Sequence, residues 1–309
     1  MRDWQKTHGV LTSQTKTDEG DLYRLANVEM IKSTLAGAAP HGHTVKVELG
    51  KKAVVNIAAR HALLFLDMTS GKPGRGTYLN RPAVNHIVGR PPNGPTVRDR
   101  VDEVLEQAAA DEGHPTQAAD MHFAALELNG TGIAYFGDVC LVLKDDAVPA
   151  DTLILIHNSY DMTVPPVVSE VYEPCDWRAT KDRAVKVARS WAGTWEQHAV
   201  NMAVVKILFH RPDQKRRLTT SQISDSILND EDYIEVVRRQ SFSPAEVQEI
   251  RFSAADAARE AQIADHLMLG PPPTASEMLW RGRRRAVRRM AQQAKLPCRV
   301  VTSTGRSRR

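Results

Sequence analysis

The chain has 309 residues, with 41 Lys and Arg against 37 Asp and Glu and a formal net charge of +4. Hydrophobic residues make up 42% and charged residues 25%, which excludes a mainly disordered chain, a collagen and a disulfide-framed mini-protein. No run approaches the roughly 18 apolar residues of a membrane span, and the start Met1-Arg2-Asp3-Trp4-Gln5-Lys6 lacks the apolar stretch of a secretory signal.

Residues 1–20 read as a loose, polar lead-in. Asp21 to Leu25 fits either a first strand or the start of a helix running to Leu35. Val45-Lys46-Val47-Glu48-Leu49 alternates apolar and polar residues, a strand pattern with one buried face. Ala53 to Asp67 is apolar-rich and predicts a helix. Gly71-Lys72-Pro73-Gly74-Arg75-Gly76 and Arg90-Pro91-Pro92-Asn93-Gly94-Pro95 are breakers. Thr96 opens a helix whose Val97, Val101, Val104, Leu105 and Ala108 recur at helical spacing, ending near Gly113-His114-Pro115. A short helix is predicted over Gln117–Leu128, then strands over Ile133–Leu143 and Thr152–His157, rich in Val, Ile, Tyr and Phe.

Pro165-Pro166 and the stretch to Trp177 read as a boundary. Beyond Arg178 the pattern turns helical. Thr194-x-x-Gln197, Thr219-x-x-Gln222, Ser243-Pro244-Ala245-Glu246 and Thr274-x-x-Glu277 fit the capping box, in which a hydroxyl accepts from an orphan N–H and the Glu or Gln reaches back. Ser243 is predicted to open a helix running to Leu269, where Gly270-Pro271-Pro272-Pro273 stops it. The expected organisation is α+β: lead-in 1–20, an α+β domain over 21–165, a helical domain over 166–280, and an arginine-rich helix and tail over 281–309.

Cys140, Cys175 and Cys298 are far apart and form no C-x-x-C pair, so reduced thiols are expected rather than a disulfide framework or zinc site. Asn85-His86, His114 and His122 lack the closely placed ligand order of a metal nuclease, so no metal is expected. Gly71-Lys72-Pro73-Gly74 lacks the phosphate-loop frame, and Ser159 lacks a nucleophile elbow. Gly130-Thr131-Gly132 reads as a turn.

Three elements stand in suggestive order: His41-Gly42, then Gly74-Arg75-Gly76-Thr77-Tyr78, then Glu127. Cleaving the glycosidic bond of NAD leaves a ribosyl cation, which a neighbouring carboxylate stabilises. An aromatic ring such as Tyr78 can stack on nicotinamide, and an imidazole such as His41 can hydrogen-bond a ribose. Gly42 lets the backbone approach the amide, and Arg24 or Arg75 can hold a pyrophosphate in a bidentate grip. These residues resemble the ADP-ribosyltransferase superfamily of the His-Tyr-Glu type, that of diphtheria toxin and the poly-ADP-ribose polymerases, over about residues 20–165. The resemblance implies a bent, mainly antiparallel β-sheet with flanking helices, NAD as substrate, Glu127 as catalytic carboxylate, and His41, Gly42, Tyr78, Arg24 and Arg75 on the cofactor. His43 stands where that family has Ser or Thr, and Ala125 leaves no second acid two residues before Glu127.

The charge is unevenly spread. Arg281 to Arg309 holds eleven basic residues and no acidic one. On a helix, Arg281, Arg284, Arg285, Arg288 and Arg289 share a broad face, and Arg283 lies nearby. Clustered arginines repel one another unless an anion is present. Nucleic acid or an acidic protein is the expected partner, and an acidic patch on residues 1–280 is the internal alternative. The end around Arg306-Ser307-Arg308-Arg309 resembles the C-terminal export signals of type IV secretion substrates. The expected location is therefore cytoplasmic, with export by a route that uses no signal peptide as the extension. Two functions are open: a transferase of effector type with a basic arm, and a non-catalytic nucleic-acid-binding protein of phage or mobile-element type.

Overall fold

The computed structural model describes residues 19–38, 50–69, 74–80, 83–84, 97–111, 116–162, 177–210, 216–228 and 233–302. The architecture is α+β: a single mixed sheet of eight strands and helices packed on both sides. In chain order the elements are α1 (Glu19–Leu35), β1 (Lys52–Ile57), α2 (Ala59–Leu66), α3 (Val97–Asp111), β2 (Met121–Glu127), β3 (Val139–Leu143), β4 (Leu153–Leu155), α4 (Trp177–Trp191), β5 (Ala192–Thr194), α5 (Trp195–His210), α6 (Thr220–Ile227), β6 (Glu235–Arg239), β7 (Val247–Ser253), α7 (Ala254–Leu269), α8 (Ala275–Gln293) and β8 (Cys298–Val301).

The strand order is β5-β4-β6-β2-β1-β3-β7-β8. Every pairing is antiparallel except β7 with β8. The register sorts side chains onto two faces, because successive residues of a strand point opposite ways. Lys52 opposite Glu127, Asn56 opposite Cys140, Cys140 opposite Arg251 and Ala125 opposite Glu235 share one face, called the front. Ala53, Leu126, His122, Arg238 and Ile250 point to the back.

There are two cores, and the larger takes in residues of both faces. On the front, Met121, Leu155 and Val237 pack under Val101, Val104 and Leu105 of α3 and Ala184 and Ala188 of α4. The larger core joins Val55, Leu141, Ile250 and Phe252 of the sheet with Phe65 of α2 and Val287 and Ala291 of α8. Each Val, Leu, Ile, Phe or Met among them, fully buried, contributes about 1.5–3 kcal/mol relative to exposure. The heptad-like stripe predicted for α3 is the stripe that is buried: Val101, Val104, Leu105 and Ala108.

Several predicted elements are corrected. Gln117–Leu128 is a helical turn (Ala118–Asp120) followed by strand β2, not a helix. Helices or loops cover both faces of that strand, so the apolar-polar alternation that marks a half-exposed strand is missing. Ala53–Asp67 splits into β1 and α2 at Ala58. The strand predicted from Ile133 begins only at Val139. Ser243 caps just the turn Pro244–Glu246; β7 follows, and Ser253 caps α7 by accepting from the Asp256 N–H at 3.0 Å. Thr194 ends β5, and its N–H donates to His198 Nδ1 at 2.9 Å rather than to Gln197. The boxes at Thr219 and Thr274 form as predicted, and residues 19–35 take the helical alternative. The strand predicted at Val45–Leu49 lies outside the described residues.

The C-terminal half is mostly helical, but the sheet runs through it to β8. β6 pairs with β2, and β7 pairs with β3, so both sides of the Pro165-Pro166 stretch build the same sheet.

Candidate functional site

Glu127 ends β2 on the front face and is 1% exposed. Its Oε1 accepts from the Leu128 N–H at 2.7 Å and from the Ser224 hydroxyl at 2.7 Å. Burial pushes its carboxyl above the ordinary range, although those hydrogen bonds, the Arg251 charge and the Gly130 N–H pull the other way. Arg251 Nε donates to Glu249 at 2.7 Å, and its Nη1 donates to the carbonyls of Leu128 at 3.1 Å and Gly130 at 3.0 Å. Glu127 therefore clasps the turn after β2 to α6. It does not face an open hollow.

Tyr78 sits on the other side of the sheet. Its ring stacks on Phe242 at 4.7 Å between centroids and lies 5.8 Å from His122. Burial pushes its phenol up to about 12. His122 and Glu127 are five residues apart on one strand, an odd spacing that puts them on opposite faces, with backbones roughly 17 Å apart. The structure thus does not bring Tyr78 and Glu127 around one nucleotide. His41 and Gly42 lie outside the described residues. Arg75 bonds Asp67 within its own loop, and hydrogen bonds from Thr69 first and from Arg75 next hold that carboxyl below the usual range. Arg24 is exposed on α1, and no contact ties it to Tyr78 or Glu127 among the described residues.

The arginines of α8 divide sharply. Arg284 is 0% exposed. Its Nε donates to Glu260 at 2.6 Å, and its Nη1 donates to the Asp138 carbonyl at 2.6 Å and the Asp256 carboxylate at 3.2 Å. Its guanidinium also lies 4.8 Å from the Phe252 ring centroid and 4.9 Å from that of Trp280. Arg288 makes a fork to Glu260 at 2.5 and 2.8 Å. Burial alone would raise Glu260, but the hydrogen bonds and charges of Arg288 and Arg284 outweigh it and hold the carboxyl below its ordinary value. Arg284 and Arg288 are thus corrected from partner-binding residues to internal anchors. The broad arginine face is also corrected, because acids from α7 and from the β2–β3 loop neutralise its inner part.

Arg281, Arg285 and Arg289 form a stripe at i, i+4 and i+8, about 6 Å per step along the axis. Arg283 stands beyond the opposite edge of the buried face. Arg285 and Arg289 are exposed, and Arg281 and Arg283 are half-buried. None of these four makes an ion pair with a described residue. Farther along, Arg299 pairs with Glu249 at 2.8 Å.

The turn predicted at Gly130-Thr131-Gly132 is the start of a longer loop from Leu128 to Asp138. It crosses the front of β1, where Asn56 Nδ2 donates to the carbonyls of Thr131 at 2.8 Å and Gly137 at 3.2 Å, and Asn56 Oδ1 accepts from the Ile133 N–H at 2.8 Å. A Cβ on Gly137 would overlap the Ile57 backbone, and one on Gly132, whose φ is +67°, would overlap the Asn56 side chain. At the crest of this locked loop Tyr135 is 57% exposed and Phe136 52%. The signal was present as three glycines and two adjacent aromatics in Gly130-Thr131-Gly132-Ile133-Ala134-Tyr135-Phe136-Gly137. It was hidden by the Val and Leu that follow, which extended the predicted strand backwards.

No protein-family model, curated protein or solved structure matches this chain. Among the described residues, no helix is long and apolar enough to cross a membrane, and no group of three or more His, Cys, Asp or Glu could hold a metal ion.

Proposed function

We propose that the protein binds a nucleic acid through the outward arginines of α8. The observation that carries this reading is the division within one helix. Arg284 and Arg288 are matched by Glu260, Asp256 and Asp138, whereas Arg281, Arg283, Arg285 and Arg289 have no ion-pair partner among the described residues. Those four carry the positive charge that repeats along the surface, as a phosphate backbone requires. Each phosphate neutralised releases counterions, so binding weakens steeply as salt rises.

The test is fluorescence anisotropy with labelled DNA and RNA over a range of NaCl concentrations. Native protein should show a log–log salt slope, and Arg281→Gln/Arg285→Gln/Arg289→Gln should flatten it by roughly one unit per lost phosphate contact. Equal affinity and equal slope for that variant would remove the helix from the contact.

A second reading is NAD-dependent ADP-ribosyl transfer, with the basic helix holding the acceptor. Its support is architectural: a mainly antiparallel sheet with helices on both sides is the kind of fold the resemblance implies. It requires a stacking ring other than Tyr78, since that ring is committed to Phe242. Incubation with NAD labelled in the nicotinamide tests it. Release of nicotinamide by native protein supports transfer, and no release above a heat-denatured control counts against it.

A further inference from the structure

We infer that the apolar end of the α7–α8 hairpin is a wedge for a base step, and that the nucleic acid bound by the α8 arginines is a duplex that the protein bends. This rests on the nucleic-acid reading above and names the substrate class within it.

From Ala264 to Arg283 no residue is buried, so the last turns of α7 and the first turns of α8 stand clear of the sheet. The end of this hairpin is apolar. Met268 is 81% exposed and Leu269 95%, and Leu267, Met278 and Leu279 are exposed as well. Apolar side chains gathered at one end of a hairpin lose burial unless a partner covers them. The hairpin itself is rigid. Arg284 and Arg288 of α8 both bond Glu260 of α7, Arg259 of α7 lies 3.8 Å from Glu277, and the Thr274 N–H donates to Glu277 at 2.9 Å. Between the helices, Pro271, Pro272 and Pro273 fix their own φ. The entropic cost of ordering the tip is therefore met on folding and not on binding.

Charge and position decide what covers the tip. Met278, Arg281, Arg285 and Arg289 are spaced i, i+3, i+7 and i+11, so they share one face of α8. The arginines follow Met278 at about 4.5, 10.5 and 16.5 Å along the axis. The apolar end thus continues the outward stripe of cations, and the partner must offer a row of negative charge beside an apolar slot. A lipid surface offers both. A bilayer covering Met278 and Leu279 would, however, strip water from Glu277 beside them and from Asp265, one turn before Leu269, a costly transfer for two carboxylates. A single strand is gripped by ring stacking. The indole of Trp280 is already flanked by Arg259 at 5.1 Å and Arg284 at 4.9 Å from its centroid. A duplex fits: Leu, Met and Pro are side chains that enter between base pairs from the minor groove and kink the helix, while cations hold the neighbouring phosphates. One or two such side chains suffice, and both carboxylates stay in water.

The test uses a duplex with a donor dye at one end and an acceptor dye at the other, reading bending by energy transfer and affinity by anisotropy. It compares native protein with Met268→Gln/Leu269→Gln and with Arg281→Gln/Arg285→Gln/Arg289→Gln. Native protein should bend the duplex by about 20–90°. The tip variant should lose at least about half of that energy-transfer change while keeping the salt slope, because no phosphate contact is removed. The arginine variant should flatten the slope. A duplex with a central TA step should bind native protein more tightly than an A-tract of equal length, because such steps kink easily. Thermal melts of native protein and the tip variant should coincide, because the replaced side chains are exposed. If native protein binds the duplex but leaves it straight, or if the tip variant bends it equally, the wedge is overturned and the arginine reading stands. The same holds if native protein binds single strands alone. Vesicles of anionic phospholipid are the second probe, and binding to them that the tip variant abolishes overturns the wedge in favour of a lipid contact. If native protein binds neither strand nor duplex, the nucleic-acid reading itself fails.

Discussion

Arg284 and Arg285 are neighbours in sequence with the same side chain, yet one is sealed in the protein and the other stands in water. The helix turns about 100° between them, enough to carry a guanidinium from the α7 interface to the surface. Arg284 meets Glu260, Asp256 and Asp138, contributed by segments 24 to 146 residues away. Arg285 meets no acid among the described residues. A run of like charges is therefore not one feature: the fold divides it into an anchor and a contact surface.

The sharpest way to break this comparison is to remove the anchor. Arg284→Met leaves Glu260 and Asp256 without their central cation, and unfolding by urea should show a loss of about 3–5 kcal/mol. A stability change below about 0.5 kcal/mol would show that Arg284 is no anchor. Next in size is the loop that Arg284 holds. Gly137→Ala forces a Cβ against the Ile57 backbone, and a loss of about 1–3 kcal/mol is expected in the same assay.

A smaller effect should appear with pH. Glu260 has a folded-state pKa below its ordinary 4.5, so it stabilises the fold above that value and stops doing so as the pH falls through the folded pKa. Asp256 and Glu127 run the other way: burial raises both, and their contributions decline as the pH rises. Melting temperatures measured from pH 7 down to about pH 3 should therefore fall less steeply on the acid side for Glu260→Gln than for native protein. An unchanged acid limb would mean that Glu260 is not held ionised by its two arginines. The smallest effect belongs to the surface set. Replacing Arg281, Arg285 and Arg289 by glutamine should alter stability by no more than about 0.5 kcal/mol per site, while changing the salt dependence of nucleic-acid binding.

Local chemistry was readable wherever one segment carried its own instructions. The stripe of α3 and the boxes at Thr219 and Thr274 need only neighbours a turn away. β2 was not readable, because Met121 to Glu127 are covered from both sides and their apolar residues satisfy a helix as well as a strand. Ser243 was half-readable: its box forms, but nothing local says that the helix ends after one turn and that Val247 to Ser253 pairs with β3. The arginine run was legible as charge, whereas its division depended on acids supplied from Asp138, Asp256 and Glu260. Tyr78, Arg75 and Glu127 were legible as chemically apt residues, but the register that separates Tyr78 from Glu127 is a property of the assembled sheet.

The terminal strand β8 has a further consequence. It lies parallel to β7 at the end of the sheet, with Ile250 opposite Cys298 and Phe252 opposite Val300. Without it, the outer hydrogen-bonding groups of β7 would stand open, an invitation to pair with another chain. Shortening the protein at Gln293 should therefore increase its tendency to clump, measured by light scattering, with α8 itself still folded. Cys298 to Val301 act as a selvage, the finished border that keeps the weave from catching on its neighbours.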